Sequence, residues 1–177
     1  MDYFTLLNLS QTFDLDQSAL EKSYFRAQRQ FHPDRFVGKP DHERMAAMQR
    51  SVDMNKAYES LKDPLTRAQH LLSLQGVLVG GDKDTVKPSQ ALLMEIMELR
   101  ETPPDAKILA EMVESCITRI DQQFRANDWP AMAEETLRLG YLVKVTILRR
   151  GEAESAGSHA MDGDPVQSLR ASQDDNT

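Results

Sequence analysis

Apolar side chains recur along this chain at steps of three and four residues, and no stretch alternates at the period of a strand. The pattern predicts an all-α fold. Phe4, Leu6, Leu7 and Leu9 form a brief apolar opening over Asp2–Leu9. Between Gln17 and Phe31, Leu20, Tyr24, Ala27 and Phe31 make one stripe of a helix about 22 Å long, with Asp16 placed to cap it. Pro33 ends that helix, because proline inside a helix costs ~3 kcal/mol or more. Gly38 and Pro40 keep the following loop irregular. A third helix begins after Asp41 and aligns Ala47, Met54, Tyr58 and Leu61 on one face, with Ala57 beside them. Asp63-Pro64 then reads as an N-cap followed by proline at the first helical position, opening a fourth helix to about Leu74 that Gly76 ends.

Gly80-Gly81-Asp82 falls in a polar connector, which predicts a boundary: one unit over residues 1–75, a linker over 76–87, and a second unit over 88–150. The second unit reads as a three-helix bundle over about Pro88–Glu101, Asp105–Ala126 and Trp129–Arg149. Its middle helix carries a seam of Leu109, Val113, Cys116, Ile120 and Phe124. The Leu71-Leu72-Ser73-Leu74 run reads as packing between the two units. Beyond Arg150 the chain turns to Gly, Ser, Ala and acid, and 151–177 reads as a disordered acidic tail.

Charge narrows the functional classes. Of a net −7, the tail supplies −5 (six acids against Arg170 alone), so the first 150 residues carry only −2. With no second basic helix, a nucleic-acid binder using Lys22, Arg26, Arg29 and Arg35 is the weaker alternative. Cys116 is the single cysteine, which excludes an internal disulfide and a cysteine-rich zinc site. No helix offers two His, or His and Glu, at metal-ligand spacing, and there is no Gly-rich phosphate loop. No metal, cofactor or small-molecule ligand is therefore expected, and no enzymatic chemistry. No apolar run approaches the ~20 residues that cross a bilayer, and Met1-Asp2-Tyr3-Phe4 lacks the basic start of a signal peptide. A cytosolic protein with no membrane partner is expected.

Two places look built for contact. The first is His32-Pro33-Asp34. Pro33 biases His32 away from helical dihedrals, and the loop presents a ring and a carboxylate among Arg26, Arg29 and Arg35 at low entropic cost. The second is the helix over 88–101. At about 100° per residue, Leu92, Ile96 and Leu99 point one way, while Leu93 and Met97 lie around the cylinder, with Met94 further on and Glu98 and Glu101 at the edge. The helix either buries both faces or leaves one for a partner.

In order along the chain, "DYFTLLNL", "LEKSYFRAQRQFHPDRF" and "MNKAYESLKDPLTRAQHLLSL" resemble a J-domain. Glu21 stands where many J-domains carry a base. The absence of a Gly/Phe-rich segment and of zinc repeats, together with "RAQHLLSLQG" and "LLMEIMELRE", resembles the HscB family of iron–sulfur co-chaperones, bacterial type. Between Thr102 and Trp129 the chain is shorter than is usual there. The resemblance implies that His32, Pro33 and Asp34, with Lys22, Arg26, Arg29 and Arg35, engage the DnaK-type chaperone HscA and stimulate its ATPase. It also implies that Leu93, Met94, Met97, Glu98, Glu101 and Tyr141 bind the scaffold IscU. A general J-protein with other clients remains the nearer alternative.

Overall fold

The computed structural model describes residues 1–80 and 86–159, with Pro33 and residues 150–159 described by backbone alone. Seven α-helices occur among the described residues: α1 (Tyr3–Leu6), α2 (Gln17–Phe31), α3 (Asp41–Lys62), α4 (Pro64–Leu74), α5 (Gln90–Glu101), α6 (Ala106–Ala126) and α7 (Trp129–His159). A short 3₁₀ turn, Pro33–Phe36, lies between α2 and α3. No strand occurs among the described residues.

Local chemistry accounts for most of the helix ends. The Asp2 and Asp16 carboxylates accept from the Phe4 and Ser18 amides, capping α1 and α2. Asp63 both ends α3 and caps α4, accepting from the Thr66 amide at 2.9 Å. α5 begins at Gln90 rather than Pro88, because the Ser89 hydroxyl takes the cap by accepting from the Leu92 amide. Asn127, at φ 55°, closes α6 in the left-handed conformation that asparagine tolerates.

α2 and α3 form a hairpin held by stacked Tyr24 and Tyr58 rings, 4.3 Å apart, and by the Arg50 guanidinium over Phe31. Arg67 on α4 is buried and donates to three carbonyls, those of Phe13 and Leu61 at 2.7 Å and of Lys62 at 3.2 Å. His70, also on α4, accepts from the Tyr3 amide at 3.1 Å and stacks on the Tyr3 ring, which ties α1 to α4. Burial holds the His70 pKa below its ordinary value, against the pull of Asp2.

α4 packs against α7, so Leu71 and Leu72 bury in the same apolar cluster as Leu92, Ile120, Met132 and Leu142. α6 and α7 pair lengthwise, with Leu109, Cys116 and Ile120 of the expected seam buried and Val113 and Phe124 half-buried. Between these helices Glu135 is buried beside two guanidinium groups, Arg119 Nε lying 3.0 Å from its carboxylate and Arg138 in closer contact.

The last helix differs from expectation. It continues past Arg149 to His159, into the segment expected as a tail. Glu152, Ala153, Glu154 and Ala156 propagate a helix at little cost, and Gly151 and Gly157 cost only about 1 kcal/mol each. The rest of that expected tail, 160–177, lies outside the described residues, as do 81–85 of the linker.

Candidate functional site: an HPD turn and a two-faced helix

α2 stops at Phe31, and His32 takes extended dihedrals (φ −59°, ψ 131°), as a residue before proline must. Its Nδ1 accepts from the Asp34 amide at 3.3 Å, making the ring the cap of the 3₁₀ turn. With Nδ1 accepting, the neutral ring carries its proton on Nε2, and that donor has no partner among the described residues. The Asp34 carboxylate lies 3.5 Å from Nδ1, with 85 % of its side chain exposed. Arg35 folds back to donate to the Arg29 carbonyl at 2.9 Å, fastening the turn to the last turn of α2. On its other side the turn rests against α3.

Lys22, Arg26 and Arg29 follow at i, i+4 and i+7, so they line one side of α2 leading to the turn. All three are exposed, and none has an ion-pair partner among the described residues. The turn and this basic row thus share one surface. Phe25 lies at its edge with 59 % of its area exposed. Pattern reading passed over Phe25, although it falls off the core-facing Leu20–Tyr24–Ala27–Phe31 stripe, of which Leu20 is buried and the rest half-buried, and that is the signal that marks it.

The second surface is on α5. Ser89 donates to Glu134 on α7, and Glu95 pairs with Arg138 at 2.9 Å, so α5 is anchored at its start and middle. Leu92 and Ile96 are buried beneath it and Leu99 is half-buried. With that face committed to the bundle, Leu93, Met94 and Met97 remain 44, 65 and 62 % exposed. Glu98 and Glu101 are exposed as well, beside a groove shared with Pro104 and Met112.

Tyr141 sits across from the opposite edge of α5. It is half-buried on α7, with the Lys144 ammonium 5.3 Å from the ring centroid. Ile96 and Leu99 from α5 and Tyr141, Val145 and Leu148 from α7 enclose a cleft of about 200 Å³, to which Arg100 and Lys144 bring the charge. The structure therefore places Tyr141 beside α5, whereas the HPD turn belongs to the other half of the chain and forms a separate surface. Among the described residues no group of three or more His, Cys, Asp or Glu is arranged to hold a metal, and no helix is long and apolar enough to cross a membrane.

Comparison with known proteins agrees with both halves. A DnaJ-domain family model matches residues 2–70, and a model described as the HSCB C-terminal oligomerisation domain matches residues 88–147. The co-chaperone protein HscB of Proteus mirabilis (strain HI4320) is 36% identical over 159 residues, covering 82% of this chain and 91% of that protein. An HscB homolog of Vibrio cholerae (strain O395) is 34% identical over 159 residues, covering 82% and 92%. Among solved structures, chaperone HscB from Vibrio cholerae aligns with a TM-score of 0.72 at 31% identity, covering 91% of this chain and 100% of that one. The human co-chaperone HscB shares the fold, at a TM-score of 0.71 and 24% identity over 89% of this chain and 83% of that one. With an HPD turn on the first half, an HscB-type bundle as the second and more than a third of the aligned residues identical to a curated HscB, the chain belongs to the HscB family of J-domain co-chaperones.

Proposed function

We propose that this protein works by contact rather than catalysis, joining a DnaK-type chaperone, HscA, to the iron–sulfur scaffold IscU. His32, Pro33 and Asp34 engage the chaperone and promote its hydrolysis of ATP. Lys22, Arg26, Arg29 and Arg35 supply the attraction that brings the two together, since unpaired basic groups on one surface steer an acidic partner. Phe25 adds apolar area to the same surface.

The scaffold docks on Leu93, Met94 and Met97, with Glu98 and Glu101 on one side and Tyr141 on the other. ATP and the cluster stay with the partners, and a cytosolic setting belongs to the same reading. The observation that carries it is the pairing of two separate exposed surfaces on one chain: a charged turn held rigid by its own hydrogen bonds, and an apolar helix face left open by a firmly anchored helix.

The test is the steady-state ATPase of purified HscA with this protein added. Stimulation is expected from the wild type and none from His32→Gln, whose melting temperature should match the wild type because the ring is exposed and its hydrogen bond lies within its own turn. Equal stimulation by a folded His32→Gln would remove the turn from the mechanism.

A further inference from the structure

The two edges of the exposed α5 stripe carry opposite charge. Successive residues rotate about 100° around the helix, which orders the surface as Arg100, Leu93, Met97, Glu101, Met94, Glu98. Different cavities adjoin the acidic and the basic ends of this order. On one edge Glu98 and Glu101 open onto the groove with Pro104 and Met112; on the other, Arg100 joins Lys144 and Tyr141 at the cleft.

Glu98, Glu101, Arg100 and Lys144 have no ion-pair partner among the described residues, and the Lys144 ammonium lies over the Tyr141 ring. Glu95, by contrast, is taken up by Arg138. Scattered surface charges would be unremarkable, but here Arg100 and Glu98 stand at opposite sides of the apolar stripe, with Glu101 set between Met97 and Met94 on the acidic half. The cleft has about 200 Å³, below the roughly 300–1,000 Å³ of small-molecule pockets, and suits a single large side chain.

We propose that the scaffold partner meets this face with a bipolar element: an apolar side chain seated in the Tyr141 cleft, an Asp or Glu beside it for Arg100 and Lys144, and a Lys or Arg across the stripe for Glu98 and Glu101. This rests on the scaffold-docking reading above and adds Arg100 and Lys144 as residues that select the partner. The arrangement sets orientation as well as attraction, because a partner turned end for end would bring like charges together.

The test uses the full-length protein and purified IscU, titrated calorimetrically at low and high salt. Three charge variants are compared: Arg100→Glu with Lys144→Glu, Glu98→Lys with Glu101→Lys, and all four together, which returns the wild-type net charge. Each double variant is expected to weaken binding roughly tenfold at low salt, with the difference shrinking at high salt. The fourfold variant should lose at least as much despite its unchanged net charge. Wild-type or tighter binding by either double variant at low salt, or by the fourfold variant, overturns the bipolar inference. A parallel triple change of Leu93, Met94 and Met97 to Ala separates the two layers. If it abolishes binding while the charge variants do not, only the bipolar inference falls; if it too binds like the wild type, the docking reading falls with it. Thermal melts confirm that all variants fold.

Discussion

Truncating Leu93, Met94 and Met97 together to Ala sets a stability argument against a binding argument in one molecule. Fully covering a Leu or Met side chain is worth about 1.5–3 kcal/mol. At 44, 65 and 62 % exposure, the area a partner could still cover scales to a total of about 2.5–5 kcal/mol. Some of this is offset by the ordering of flexible Met side chains, so binding should weaken by roughly 2–4 kcal/mol, or about thirtyfold to a thousandfold. The fold should lose far less, since the substitutions leave no enclosed cavity and Ala is the best helix former. The companion triple, Leu92, Ile96 and Leu99 to Ala, works in reverse. Leu92 and Ile96 are 0 and 7 % exposed, and truncating such a residue costs about 2–5 kcal/mol, enough in combination to melt the bundle. Calorimetric titration with IscU and circular-dichroism melts on both triples provide the readouts. If the first triple melts like the second, or binds IscU like the wild type, the division of α5 into a buried and a docking face is wrong.

Two predictions concern buried titratable groups. His70 is held neutral by burial, with its pKa below the ordinary 6.5 and with Asp2 and the N-terminal amine as its charged neighbours. The unfolded chain therefore binds the extra proton first, so stability is full above pH 6.5 and falls as the pH drops toward the folded-state value. Urea midpoints should be lower at pH 5.5 than at 7.5, and His70→Gln, which keeps an acceptor for the Tyr3 amide, should flatten that slope; an unchanged slope would refute the assignment. Cys116 is buried, and burial, followed by the nearby Glu135 charge, pushes its thiol up to about 11. Alkylation by iodoacetamide at pH 8 should be roughly a hundredfold slower in the native protein than in urea, and comparable rates would show that the α6–α7 seam opens readily.

The legible parts of this fold are those set by near neighbours in the chain. Pro33 ends α2, and Asp63-Pro64 joins α3 to α4, because dihedral limits and capping act over a few residues. Helical geometry separated Leu92, Ile96 and Leu99 from Leu93, Met94 and Met97 on α5, but left open whether the second set is buried as well. What escaped was non-local or weakly encoded. Arg67 reads as one more surface base until Phe13, far upstream, is seen to accept from it. Arg138 looks like an ordinary helix residue, yet it links Glu95 to α7 and so decides which face of α5 stays free. Arg100 and Lys144 belong to different helices, and only packing brings them to one cleft. The continuation of α7 to His159 is weakly encoded, its local helix formers lying within an acidic, Gly-containing composition.

The central claim is that one molecule must carry both surfaces, and a trans-complementation assay tests it most directly. HscA ATPase is measured with IscU held below saturation, using wild-type protein, the His32→Gln variant, the Leu93/Met94/Met97 triple-Ala variant, and an equimolar mixture of the two variants. The wild type should give the combined stimulation of chaperone and scaffold delivery. The mixture should fall well short of it, because the molecule that holds the scaffold cannot engage the chaperone. A mixture as active as the wild type would contradict the account.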